Sequence, residues 1–156
     1  MATTLETEER MSDWSTEFPG PTPQLVVADA EAAIRFYQVA FASDELVRNH
    51  TSDGRIMHAE LLMFGGRIFV IDDFDGQQVS SPTLLGGTTV RLHLYVPDVD
   101  EVYARAIAAG ATSIAEPRCL WGDRYALIGD PFGHQWSLGT PREDLTVAEL
   151  EGRADD

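Results

Sequence analysis

The chain contains no lysine, and its eleven arginines stand against 26 aspartates and glutamates, for a net charge of −15. Following a phosphate backbone takes clustered cationic side chains, so nucleic acid and anionic membrane surfaces are poor partners. Cysteine is almost absent. The single Cys119 excludes an internal disulfide and the Cys-rich zinc frameworks, and it fits a reducing, cytoplasmic setting. No apolar run approaches the ~18 residues that span a membrane. The opening stretch, Met1 to Arg10, is acidic and lacks the apolar core of a secretory signal.

Much of the acidity lies at the ends. Residues 1–18 and residues 141–156 each carry −4, leaving −7 for the body. The first reads as an acidic arm, with Trp14 and Phe18 as docking points. In the second, Thr146 caps a short helix with Glu149 at the capping-box position. Residues 19–140 read as one domain.

Within that domain Pro19-Gly20-Pro21-Thr22-Pro23 is a stiff, non-helical entry to a strand at 24–27. Asp29 is an N-cap, and Ala33, Ile34, Tyr37, Ala40 and Phe41 repeat at helical spacing over 30–41. Strands follow at 44–50, 55–62 and 67–71, with Asp53-Gly54 as a hairpin turn. Residues 73–88 are turn-rich and read as a linker. The pattern then restarts. A strand at 90–96 precedes the Asp98 cap, a helix closing at Gly110, and strands from 111, at 124–129 and at 134–138.

A shift of 69 places Leu25 on Leu94, Val27 on Val96, Asp29 on Asp98 and Arg55 on Arg124. The expected fold class is therefore α+β, built of two tandem βαβββ modules at 19–72 and 89–140. In such a unit one sheet face is covered by the helix and the other is free to curl round a ligand. Arg91, His93 and Tyr95 alternate with Leu92, Leu94 and Val96, so they take the face away from the helix. His58 and Glu60 do the same in the first module, with Met57, Ala59 and Leu61 beneath the helix. The competing reading leaves both polar faces to solvent.

Val26-Val-x-Asp29, Ile34-x-Phe36-Tyr37, Val96-x-Asp98 and Asp130-Pro-Phe-Gly133 together resemble the vicinal-oxygen-chelate superfamily. That group includes glyoxalase I, fosfomycin-resistance enzymes, extradiol dioxygenases and bleomycin-binding proteins. Gly54-Arg-Ile-Met-His-Ala-Glu-Leu61, Leu92-His-Leu-Tyr-Val-x-Asp98 and Trp121-Gly-Asp-Arg-Tyr125 resemble its PhnB-like branch. The resemblance implies a U-shaped, partly open barrel, often completed in a homodimer and often holding a divalent metal. The four ligand places it implies fall on Thr22, Glu60, Arg91 and Ser137, of which only Glu60 matches.

Two readings of the site remain open. A relocated His58/Glu60/His93 site suits Zn²⁺, Mn²⁺ or Fe²⁺, although Arg91 beside His93 disfavours a cation. Alternatively, the pocket is metal-free and holds a small polar or anionic molecule. Glu60 is then a general base or a structural counter-ion, and His93 and Arg91 steady a developing oxyanion. Tyr95, Gln135 and Ser137 offer hydrogen bonds to the ligand. Trp121 and Tyr125 can stack on it, and Arg124 can hold a carboxylate or phosphonate; Trp121 can equally close the core edge. The function expected is thus either a lyase-, isomerase- or transferase-type enzyme, metal-assisted or not, or a resistance-type protein that sequesters its ligand.

Overall fold

The structure, a computed structural model, describes residues 20–120 and 122–141. Trp121, the expected arm 1–18 and the expected helix after Thr146 lie outside the described residues.

Each module starts with a short strand followed two or three residues later by an aspartate cap. β1 (Gln24–Val27) leads to Asp29, whose side chain accepts from Ala32 N at the start of α1 (Ala30–Phe41). β2 (Asp44–His50), β3 (Ile56–Met63) and β4 (Gly66–Asp72) complete the first sheet, in the order β1-β4-β3-β2. In the second module β5 (Arg91–Tyr95) leads to Asp98, which accepts from Glu101 N at the start of α3 (Val99–Ala108). β6 (Thr112–Leu120), β7 (Asp123–Gly129) and β8 (Gln135–Pro141) form the second sheet, in the order β5-β8-β7-β6. Both sheets are mixed, with β1 and β5 running parallel to β4 and β8.

The duplication is visible in the coordinates. The shift of 69 carries the start of α1 onto that of α3, and β4 onto β8 from end to end. The fold is thus α+β, with two tandem modules of the expected kind. Among the described residues no ladder joins the two sheets, and β1 and β5 are edge strands.

The core lies between each sheet and its helix. α1 buries Ala33, Ile34, Tyr37, Ala40 and Phe41 against Ala59, Leu61 and Val70. α3 buries Val99, Val102 and Ala106 against Ala126, Ile128 and Leu138. The two layers are one cluster because the helices pack together. Arg105 on α3 donates from Nε and Nη2 to the Ala40 carbonyl on α1, both at 3.3 Å.

The second tie is Asp130, in the turn between β7 and β8. Its buried carboxylate accepts from Tyr37 Oη of the first module at 2.7 Å and from Trp136 Nε1 at 2.8 Å. It also accepts from the backbone amides of Phe132 and His134, both at 2.9 Å. Desolvation, followed by the charge of Asp130 and the hydrogen bond to it, pushes the Tyr37 phenol well above its ordinary range. The Asp130-Pro-Phe-Gly segment is therefore a clamp between modules.

The expected linker is more ordered than its composition suggests. It contains a helical turn, α2 (Pro82–Leu85), with Ser81 as N-cap and Pro82 at the start. Ser81 is fully buried, and its amide donates to Asp73 Oδ1 at 2.8 Å. Pro82 sits against Gly133, where a Cβ would lie 2.8 Å from the proline Cβ.

Candidate functional site

The parity of the two polar faces follows the sequence reading. In β5, Leu92 and Leu94 pack on the core, and Arg91, His93 and Tyr95 take the other face. That face is open in the single chain, and Tyr95 is 61% exposed. In β3, Ala59 and Leu61 lie under the helix while His58 and Glu60 are half-buried opposite. Met57 is 54% exposed, because the helix does not extend over that end of the strand.

Register then decides the partners. β5 pairs with β8 so that Arg91 meets Gln135, His93 meets Ser137 and Tyr95 meets Gly139. Arg91 donates from Nη2 to Gln135 Oε1 at 3.1 Å. His93 Nδ1 lies 2.7 Å from Ser137 Oγ, and its ring lies edge-on to Tyr95 with centroids 4.6 Å apart. Tyr125 pairs with Gly139 from the other side, so it shares this face.

On the first sheet, Glu60 is held from both sides. Arg67 Nη1 donates to its Oε2 at 2.9 Å, and His58 Nε2 lies 3.2 Å from its Oε1. The His58 ring packs edge-on to Phe69. Arg67 was not singled out in the sequence. Register supplies the contact: β4 pairs with β3, and Arg67 stands opposite Leu62, on the face that carries Glu60.

A cavity of about 510 Å³ lies between β5 and the β3–β4 turn and touches both clusters, Arg67 on one wall and His93 on the other. Thr22, Leu62, Leu92 and Trp136 are among its remaining walls. A second cavity of about 490 Å³ lies beneath the linker, lined by Leu25, Val26, Val79, Pro82 and Leu85. Among its described walls His134 is the one titratable group, and His134 Nε2 lies 3.2 Å from the Val26 carbonyl oxygen. The first cavity is the one with a guanidinium, Arg67, in its wall.

The expected metal ligands do not assemble. Among the described residues no group of three or more His, Cys, Asp or Glu side chains could hold a metal ion. His58 and Glu60 stand on one sheet and His93 on the other. The places the superfamily uses hold a threonine, a paired carboxylate, a guanidinium and a serine committed to His93. This donor set does not fit a divalent cation.

Arg124 is on the opposite face of the sheet from His93. Its Nε and Nη2 donate to both oxygens of Asp100, at the start of α3, at 2.7 and 2.6 Å. The hydrogen bond to Asp100 is the main cause holding the guanidinium more firmly protonated than usual. Strand alternation separates Arg124 from Tyr125, so the two cannot serve one ligand from the same face. Cys119 pairs with Arg124 across β6 and β7 and is exposed.

These features define a class. Solved structures that resemble this one include TioX from Micromonospora sp. ML1, at 29% identity and a TM-score of 0.61, over 81% of this chain and 99% of that one. A PhnB protein from Bacillus cereus aligns over 77% of this chain and 98% of its own, at 16% identity and a TM-score of 0.60. The fosfomycin-resistance protein FosX from Listeria monocytogenes, solved with Mn(II) and sulfate, aligns over 86% of this chain and 95% of its own, at 20% identity and 0.59. The fold is that of the vicinal-oxygen-chelate superfamily. Residues 24–139 match the profile of the glyoxalase-like domain, and the chain belongs to that family. Uncharacterized proteins of Mycobacterium bovis and Mycobacterium tuberculosis are 45% identical over 137 residues, covering 85% of this chain and 90% and 81% of theirs.

Proposed function

We propose that the chain binds a small polar or anionic organic molecule in the cavity between β5 and the β3–β4 turn, without a resident metal. The observation that carries this is the state of Glu60. The one acidic side chain at the superfamily's ligand places is engaged by Arg67 and His58. Glu60 then acts as a counter-ion that fixes the Arg67 guanidinium at the cavity wall. The cavity offers Arg67, His93 and Thr22 within walls made largely of Leu62, Leu92, Leu94 and Trp136. Such a lining suits a ligand with an apolar body and an acidic head. FosX was solved with both a metal and an oxyanion; here the side chains suit only the oxyanion half.

Sequestration by binding is the reading this arrangement supports best, in a reducing cytoplasm where the exposed Cys119 stays free. A homodimer completes the site by covering the open face of Arg91, His93 and Tyr95.

The test is elemental analysis of protein purified without chelator, followed by calorimetric titration with Mn²⁺ and with phosphonoacetate as the probe anion. Phosphonoacetate is expected to bind and Mn²⁺ is not, and Arg67→Ala is expected to weaken the anion about ten-fold, as for one lost charge-assisted hydrogen bond. Stoichiometric metal that is lost in Glu60→Gln would overturn the reading.

A further inference from the structure

Ser137 stands where the superfamily implies a metal-binding glutamate, and the structure gives it another occupation. It is 5% exposed, so its hydroxyl must find partners within the protein. Two are in reach: His93 Nδ1 at 2.7 Å and the Leu92 carbonyl oxygen at 3.4 Å. A hydroxyl has one hydrogen to give and lone pairs to receive with. The Leu92 carbonyl can only accept, so the two contacts are made together when the hydroxyl hydrogen is given to it. The remaining contact is satisfied when His93 carries its proton on Nδ1 and donates it to Ser137 Oγ. In neutral imidazole the other nitrogen, Nε2, is then left with a lone pair.

The ring is held in that orientation by two further contacts. Tyr95 packs edge-on against it. Nε2 and Cε1 pass over Gly139, where a Cβ would lie 3.0 and 3.1 Å away, so the glycine leaves the ring its slot. His93 also lines the 510 Å³ cavity. With Nδ1 turned to Ser137, Nε2 is the ring nitrogen left to accept.

We infer that Ser137 is a positioning residue that fixes His93 as the Nδ1–H tautomer, so that Nε2 accepts a hydrogen bond from a hydroxyl on the bound anion. This rests on the anion-binding reading above and narrows it: the ligand class is a hydroxy-carboxylate or hydroxy-phosphonate. The acidic head goes to Arg67 and the hydroxyl to His93. A place that elsewhere serves a metal thereby serves a metal-free acceptor.

The direct test is long-range ¹⁵N–¹H NMR of the histidine rings in the full chain, assigned with His93→Gln. In the native protein Nδ1 is expected to show the protonated shift and Nε2 the unprotonated one. Ser137→Ala is expected to move His93 to the Nε2–H form that free imidazoles prefer, and Ser137→Thr to retain the native pattern. Glycolate and acetate, which differ by one hydroxyl, are then titrated into native protein and Ser137→Ala. The native protein is expected to favour glycolate about five-fold, as for one net hydrogen bond, and the variant to bind the two alike. A native His93 protonated on Nε2 overturns the inference, as does equal binding of the two anions by the native protein. If neither anion binds, the anion reading of the cavity falls, and the tautomer measurement on the native protein still decides the role of Ser137. That measurement also stands should Ser137→Ala fail to fold.

Discussion

Asp130 shows how much one side chain can organise. Four donors converge on its buried carboxylate, from two modules and three kinds of group. Tyr37→Phe removes one donor and leaves the carboxylate three, so the expected cost is only about 1 kcal/mol at neutral pH. Asp130→Ala orphans all four donors, two of them buried, and is expected to cost about 3–5 kcal/mol by urea denaturation. The phenol also sets a pH dependence. Its folded pKa is raised above the unfolded value near 10, so the folded state favours the protonated form. That contribution is complete below the unfolded value and is lost as pH rises above it, at about 1.4 kcal/mol per pH unit. Urea midpoints of native protein and Tyr37→Phe at pH 8 to 11 are expected to converge as pH rises. Parallel curves would sink the assignment.

Among the elements, the segment after β4 departs most from its sequence. Gly, Ser and Pro in 72–88 read as a linker, and the segment is nevertheless pinned at a buried Ser81 and at the Pro82–Gly133 contact. Gly133 has φ +91, a backbone conformation that costs an L-residue about 1 kcal/mol or more. A Cβ there would also meet Pro82 at 2.8 Å. Gly133→Ala is therefore expected to lower stability by about 2–3 kcal/mol and to speed amide exchange around Ser81. Unchanged exchange at Ser81 would show that the contact does not hold the segment down. Gly65, at φ +80 with nothing near its Cβ position, provides the comparison in which only the backbone strain is felt.

At the scale of the whole molecule the concern is the uncovered face. Arg91, His93 and Tyr95 are exposed, β1 and β5 are edge strands without a second neighbour among the described residues, and Val47, Met57 and Ile114 are also exposed on strands. Unpaired strand edges and exposed apolar side chains are features that folded chains usually cover. Sedimentation velocity of the full chain at micromolar concentration is expected to show a dimer, and Tyr95→Glu to shift it toward monomer. A native monomer with unchanged hydrodynamics in the variant would count against a site completed by a second copy. Among the described residues no helix is long and apolar enough to cross a membrane.

The sequence by itself determined the duplicated βαβββ plan, the aspartate caps and the parity of each strand. These are local: periodicity, capping and turn chemistry act over a few residues, and the shift of 69 repeats them. It also put Arg91, His93 and Tyr95 on one face. Tertiary structure decided the rest, because pairing across strands and between modules depends on register that no local pattern carries. Register set Ser137 beside His93, Gln135 beside Arg91 and Arg67 beside Glu60. It also placed Arg124 on Asp100, rather than on the ligand carboxylate or phosphonate expected for it. The Asp130-Pro-Phe-Gly turn, legible as a motif, acquired its role as a clamp only when Tyr37 reached it from a residue 93 positions away.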